Sequence, residues 1–205
     1  GAKVVLPGQA VDGESVCNLV KGEAVTVSFG VPTIWLGVLQ HLEKTGQKVP
    51  SLNRVVIGGA SCPPALMTVL RERYGVEVNH LWGMTETTPL GTVNQLKRKH
   101  ALLSEQAKQE LRALQGRVVY GVDLKIVDDL GNELPRDGKT AGNLMVRGWR
   151  VSSDYFKRDK GALDEQGWFD TGDVATLDRD GFMRLTDRSK DVIKSGGEWI
   201  SSIDL

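Results

Sequence analysis

The sequence of 205 residues predicts an α/β fold that gives way to an antiparallel β subdomain. Three observations carry this expectation. Short apolar runs alternate with helical patterns over residues 1–115. Glycine turns follow two of those runs, at Gly58-Gly59 and at Gly83. After residue 115 the apolar period becomes two. Alternating strands and helices imply parallel pairing with right-handed crossovers. A period of two implies half-buried strands in an antiparallel sheet.

Lys3 to Leu6 reads as a short strand, Ser15 to Lys21 as a helix and Ala24 to Phe29 as β-rich. Pro32 opens a helix, since Pro is tolerated in a first turn. Val31, Ile34, Trp35, Val38, Leu39 and Leu42 give that helix an apolar face, and Gly46 is its stop. Arg54 to Ile57 is the next strand, and its unbroken Val55-Val56-Ile57 suits burial on both faces. Pro63-Pro64 starts a helix with Leu66, Met67, Leu70 and Tyr74 apolar, and Glu77 to Trp82 is a strand. Ser104 to Leu114 is the last helix. Val122, Leu124 and Ile126 then alternate with polar residues, and Asp128 to Asn132 is a turn. Leu144 with Val146, Val174 to Leu177, and Phe182 to Leu185 are further strands, the last two joined by the hairpin turn Asp178 to Gly181.

Lys plus Arg and Asp plus Glu both total 26, so the formal charge is zero. A general nucleic-acid or polyanion binder would show a basic excess, so that class is disfavoured. No apolar run approaches the roughly 20 residues of a membrane span. Two cysteines, Cys17 and Cys62, make no disulfide framework and suggest a reducing compartment. The chain opens in a strand-like run without Met and closes just after a Gly-Gly turn, so it reads as an excised piece of a longer protein.

Four stretches could carry chemistry. In Leu81-Trp82-Gly83-Met84-Thr85-Glu86-Thr87-Thr88-Pro89 a strand end delivers a hydroxyl and a carboxylate, with Trp82 as an aromatic wall. Thr85 could bind a phosphate and Glu86 could hold Mg²⁺, which needs only one or two carboxylates plus substrate phosphates. The plainer reading is a polar turn with a Thr85 or Thr87 N-cap. Gly58-Gly59-Ala60-Ser61 would let a backbone approach a flat ligand, or is simply a tight strand-to-helix turn. In Gly167-Trp168-Phe169-Asp170-Thr171-Gly172-Asp173 a carboxylate could accept ribose hydroxyls, or the stretch is a turn closing a hairpin. In Asp187-Arg188-Ser189-Lys190-Asp191-Val192-Ile193-Lys194 the cations could meet phosphate or ribose oxygens, or flank a solvated hairpin. The three histidines lack metal-ligand spacing with the cysteines: His41 reads as a surface residue and His80 as packed. Cys62 has no identifiable base, and Lys97-Arg98-Lys99-His100 reads as a solvated loop.

In this order, and with Gly196-Gly197-Glu198 beyond them, the four stretches closely resemble the adenylate-forming enzymes: acyl-CoA synthetases, firefly luciferase and peptide-synthetase adenylation domains. The resemblance covers almost the whole chain. Gly197-Glu198-Trp199-Ile200-Ser201-Ser202 and Val31-Pro32-Thr33-Ile34-Trp35 look most like the medium- and long-chain fatty acyl-CoA synthetase branch.

The resemblance implies a luciferase-like large domain over 1–187, with an α/β part (1–115) and a β subdomain (116–187), and a hinge and truncated small domain over 188–205. It implies that Gly58, Gly59, Ala60, Leu81, Trp82 and Gly83 line the adenine and acyl pocket. Thr85 would contact the phosphate, Glu86 would hold Mg²⁺, and Asp173 and Arg188 would take the ribose hydroxyls. Lys190 would be the hinge, Lys194 would serve the second half-reaction, and Gly196, Gly197 and Glu198 would approach coenzyme A. The implied substrates are a fatty acid, ATP and CoA. The implied setting is cytoplasmic, compatible with peripheral membrane association and a homodimer, with no transmembrane segment and no nucleic acid. Two family features are missing from the sequence: the Ser/Thr/Gly-rich phosphate loop and the C-terminal catalytic lysine. Asn143 also stands where the family usually has Glu. The expectation is therefore a fragment, inactive by itself, of a fatty acyl-CoA synthetase. The alternatives are another adenylate former, such as an aryl-CoA ligase or luciferase-like enzyme, or a non-catalytic nucleotide-binding module of the same fold.

Overall fold

Helix boundaries in the computed structural model sit on residues with a physical reason to be there. The structure describes residues 1–157, 161–188, 193–195 and 198–200, with the backbone alone for 187–188 and the last two segments. Helix α1 (Gly13–Gly22) starts on Asp12, whose carboxylate accepts from the Ser15 N–H at 3.0 Å and the Ser15 hydroxyl at 2.7 Å. Those bonds hold the Asp12 carboxyl below its ordinary pKa. Strand β1 (Val27–Gly30) precedes helix α2 (Pro32–Thr45), which Pro32 opens and Gly46 ends in the left-handed conformation at φ 68°. Strand β2 (Arg54–Ile57), helix α3 (Pro64–Tyr74), strand β3 (Glu77–Trp82) and helix α4 (Glu105–Ala113) follow. The Ser104 hydroxyl caps α4 by accepting from the Ala107 N–H at 3.2 Å.

The chain forms two units, one of residues 1–81 with 102–113, the other of 82–101 with 114–205. In the first, β1, β2 and β3 pair in parallel, with Val27 opposite Arg54 and Arg54 opposite Glu77. Trp35, Val38, Leu42, Val55, Ile57 and Leu70 form its core. Each such side chain contributes roughly 1.5–3 kcal/mol by leaving water.

Two expectations for this unit are corrected. Lys3 to Leu6 is not a strand; Val4 and Leu6 are exposed, and an isolated run of four residues followed by Pro7 has no ladder to join. Burial along β2 alternates: Val55 and Ile57 are buried while Val56 is half-buried, so only one face is fully covered. His41 is half-buried, and its Nε2 has no hydrogen-bond partner among the described residues.

In the second unit, β4 (Thr92–Val93) and β5 (Arg117–Val118) form an antiparallel pair. Strands β6 (Asp123–Val127), β7 (Ala141–Arg147), β8 (Phe169–Leu177) and β9 (Met183–Arg188) form an antiparallel sheet in that order. Strands β10 (Ile193–Ser195) and β11 (Glu198–Ile200) form a separate antiparallel pair. The predicted alternation holds: Val122, Leu124 and Ile126 join Leu144, Val146, Phe169, Leu177 and Met183 in one core.

The stretch at 167–173 is a hairpin turn only at its start, where the Gly167 N–H donates to the Asp164 carbonyl at 3.0 Å and Leu163 bridges Phe169. From Phe169 it runs on as β8, with Gly172 at φ 69° and a register shift against β9 at Val174/Ala175. A left-handed glycine here accompanies a bulge, not a chain reversal. Lys97–His100 is not a solvated loop, because Lys97, Lys99 and His100 converge on Asp180 in the β8–β9 turn. His100 is buried and lies 5.5 Å, centroid to centroid, from the Phe182 ring. Among the described residues no helix is long and apolar enough to cross a membrane.

Candidate active site

The turn after β3 is built by a close backbone approach. A Cβ on Gly83 would lie 1.8 Å from the Pro89 carbonyl oxygen and 3.0 Å from the Gly91 nitrogen. Only glycine lets the chain fold back this tightly. The reversal holds Thr85–Thr87 as a single 3₁₀ turn. Thr87 locks it: its buried hydroxyl accepts from the Met84 N–H at 3.0 Å and shares its proton between the Met84 and Pro89 carbonyls, each at 2.9 Å. Thr87 therefore closes the turn, and Met84 takes the N-cap position where the sequence suggested Thr85 or Thr87.

Thr88 sits in the left-handed region at φ 53°, an unusual place for a β-branched residue that costs on the order of 1–3 kcal/mol. A distant segment of the same unit holds it there. The Thr88 hydroxyl donates to Arg150 O at 2.7 Å, Arg150 Nη2 donates to Thr88 O at 3.1 Å, and the Ser152 N–H donates to Glu86 O at 2.8 Å. The Tyr155 hydroxyl donates to Glu86 Oε1 at 2.7 Å. The second oxygen of Glu86 has no hydrogen bond among the described residues, and none of their cations makes an ion pair with it. Thr85 beside it is exposed.

Trp82, the last residue of β3, and Asp173 on β8 meet directly. Trp82 Nε1 donates to Asp173 Oδ2 at 2.9 Å, and both side chains are buried. Gly91 makes room for the indole, since a Cβ there would come within 2.4 Å of its Cζ3. The Asp173 N–H donates to Thr171 Oγ1 at 3.1 Å, and the β8–β9 register places Arg188 opposite Asp173.

The second unit thus pairs Trp82 with Asp173 and sets Thr85 beside Glu86. Gly58, Gly59, Ala60 and Leu81 belong to the first unit. There Gly59 is left-handed at φ 81°, and a Cβ on Gly58 would lie 2.2 Å from Leu81 Cδ1, so Leu81 packs over a bare backbone. Lys190, Gly196 and Gly197 lie outside the described residues, as do the side chains of Arg188, Lys194 and Glu198. The backbones of Lys194 and Glu198 fall on β10 and β11.

Sequence reasoning missed Arg150, Ser152 and Tyr155. Nothing in Ser152-Ser153-Asp154-Tyr155 marks it as a partner for a turn 69 residues away. The discounted candidates stay discounted. Burial pushes the Cys62 thiol up to about 12, far from a nucleophile's range. His80 is packed, with Nδ1 3.2 Å from Ala113 O.

The donor set at the end of β3 fits a magnesium ion that arrives with a phosphate ligand. It offers one half-buried carboxylate with an open oxygen and one exposed hydroxyl, hard oxygen donors with no histidine or thiol among them.

A parallel sheet with its helices and a four-stranded antiparallel sheet are the fold class that the sequence predicts. The sequence profile of the AMP-binding enzyme family matches residues 1–156, and the chain belongs to that family. It is 55% identical over all its residues to 3-methylmercaptopropionyl-CoA ligase of Ruegeria lacuscaerulensis and 53% identical to the medium-chain-fatty-acid–CoA ligase of Ectopseudomonas oleovorans. It spans 38% of the length of each. Among solved structures it is similar to an anthranilate CoA ligase in complex with anthranoyl-AMP (TM-score 0.80, 25% identity, 98% of this chain and 36% of that one). It is also similar to the o-succinylbenzoate CoA synthetase of Bacillus subtilis in complex with ATP and magnesium (TM-score 0.73, 28% identity, 93% of this chain and 37% of that one).

Proposed function

We propose that the protein carrying this chain is an acyl-CoA ligase for medium- or long-chain fatty acids or acids of similar shape. A carboxylate oxygen attacks the α-phosphorus of ATP and pyrophosphate leaves, giving an acyl-adenylate. The thiol of coenzyme A then attacks the acyl carbon, loses its proton, and AMP leaves. Glu86 carries the reading: a carboxylate fixed at a strand end beside an exposed hydroxyl, with no cation among the described residues to neutralise it. Glu86 holds magnesium and Thr85 contacts phosphate. Magnesium, when bound, offsets phosphate charge in the displacement.

Asp173 takes a ribose hydroxyl with Arg188, while Trp82 orients the Asp173 carboxylate through its indole N–H. Gly58, Gly59, Ala60, Leu81 and Gly83 line the adenine side. Lys190 is the hinge, Lys194 serves thiol transfer, and Gly196, Gly197 and Glu198 lie toward coenzyme A. The large domain spans 1–187 and the hinge follows it. The identity to two fatty-acid and sulfur-containing acid ligases supports the substrate class, and a cytoplasmic location suits ATP and CoA as substrates.

The test is Glu86→Gln in the full-length protein, followed by ATP–pyrophosphate exchange at varied Mg²⁺. The exchange rate is expected to fall at least about 10²-fold with the far-UV spectrum unchanged. An unaltered rate and Mg²⁺ dependence would remove Glu86 from the metal site.

A further inference from the structure

We propose that Tyr155 is a positioning residue for the metal-binding carboxylate: its phenol holds one oxygen of Glu86 so that the other is presented to the cation. The proposal rests on the reading of Glu86 as the magnesium carboxylate. The bond from Tyr155 Oη to Glu86 Oε1 is 2.7 Å, the length of a charge-assisted contact. It does not stand alone. The Ser152 N–H, three residues earlier, donates to the Glu86 carbonyl at 2.8 Å, so one segment grips Glu86 by both backbone and side chain. Arg150 and Thr88 extend the grip with a reciprocal pair of bonds.

Tyr155 is itself supported. Its ring lies 6.4 Å from that of Phe169, which is buried at the start of β8. The hydroxyl thus projects from a ring that is partly exposed and set against Phe169 on one side, and the carboxylate it meets carries no other hydrogen bond among the described residues. A free glutamate on an exposed turn would sample several rotamers. One held at Oε1 presents Oε2 in a single direction. A site with one protein carboxylate gains most from such orientation, and loss of an outer partner of a metal ligand typically costs about 10–100-fold in affinity.

The experiment compares Tyr155→Phe, Glu86→Gln and the double variant in the full-length protein. Mn²⁺ binding in the presence of ATP is followed by electron paramagnetic resonance, and the Mg²⁺ activation midpoint of pyrophosphate exchange is measured alongside. Tyr155→Phe keeps the ring against Phe169, so the fold is retained. It is expected to weaken Mn²⁺ binding and raise the Mg²⁺ midpoint by about 10–100-fold, with much of the rate recovered at saturating Mg²⁺. In the Glu86→Gln background the same change should alter Mn²⁺ binding by less than about twofold, because the two residues act as a pair. If Glu86→Gln weakens Mn²⁺ binding but Tyr155→Phe does not, the positioning role falls and the reading of Glu86 stands. If Tyr155→Phe acts equally in both backgrounds, its effect is structural and the role also falls. If Glu86→Gln itself leaves Mn²⁺ binding unchanged, the reading of Glu86 fails and the positioning role falls with it.

Discussion

Glu86 and Asp180 are carboxylates in polar turns of the same unit, held in opposite ways. Asp180 accepts from Lys99 Nζ at 2.5 Å and Lys97 Nζ at 3.2 Å, and His100 Nε2 lies 3.4 Å away. Lys99 above all, with Lys97 and His100, holds the Asp180 carboxyl far below the usual carboxylate range. Glu86 meets a neutral phenol and a backbone N–H that bonds its carbonyl, and no cation among the described residues pairs with it. The difference separates a clasp from a site. A carboxylate compensated by the chain's own cations ties two segments together and has little left to offer a ligand. A carboxylate fixed in place but left uncompensated can still bind a cation.

The largest effect expected comes from breaking the Glu86 corner at its base. In Gly83→Ala the new methyl would lie 1.8 Å from the Pro89 carbonyl oxygen; the methyl is fixed rigidly to its Cα and the oxygen belongs to backbone. Neither can step aside as a flexible side chain would. The urea midpoint of the full-length protein should drop by the equivalent of about 3 kcal/mol, the upper range for overpacking, and pyrophosphate exchange should be lost with it. A variant with normal stability and normal exchange would show that the turn has another way to form.

A middle-sized effect sharpens the contrast between buried and exposed polar locks. Thr87→Val keeps the shape but removes a hydroxyl that serves the Met84 N–H and two carbonyls in a buried turn. Leaving those groups unmatched should cost about 1–3 kcal/mol. Lys99→Ala removes an exposed ion pair, from a lysine 59% exposed, and should cost under about 1 kcal/mol. Denaturant titrations of the two variants side by side test the order, and equal losses would contradict it.

These corners also mark how far the sequence could be read. Helix α2 was legible because Trp35, Val38, Leu39 and Leu42 repeat at helical spacing and all are buried. The parallel sheet was legible because β2 is a short run of β-branched residues between two helices and β3 follows the second of them and ends at a glycine turn. Lys3 to Leu6 misled because local β propensity forms no strand without a partner. The cations at Lys97 to His100 looked like a solvated stretch because their partner, Asp180, lies 80 to 83 residues away. The candidate residues Trp82, Thr85, Glu86 and Asp173 were singled out by the order of their motifs along the chain, and the structure bonds Trp82 to Asp173 and sets Thr85 beside Glu86 in one turn. Tyr155 was not, because its meaning depends on a turn that only the folded chain brings to it.

The smallest effect separates the two carboxylates by pH. The Asp180 carboxyl titrates below its ordinary value of 3.8 in the folded chain, chiefly through its bond with Lys99. A depressed folded-state pKa adds stability that is fully present above the unfolded value. That stability fades as pH falls through the interval between the two values, and is lost below the folded one. Asp180→Asn removes the linked protonation, so the variant should be slightly less stable near neutral pH. The gap should close progressively below about pH 4. Added salt should narrow it as well, because the lysines that face Asp180 are partly exposed and screened. Urea midpoints of both proteins between about pH 7 and pH 3 test this. Two curves that stay parallel down the acid limb would mean that the three neighbours of Asp180 do not act through its charge, and the clasp would then be one of hydrogen bonding and packing alone.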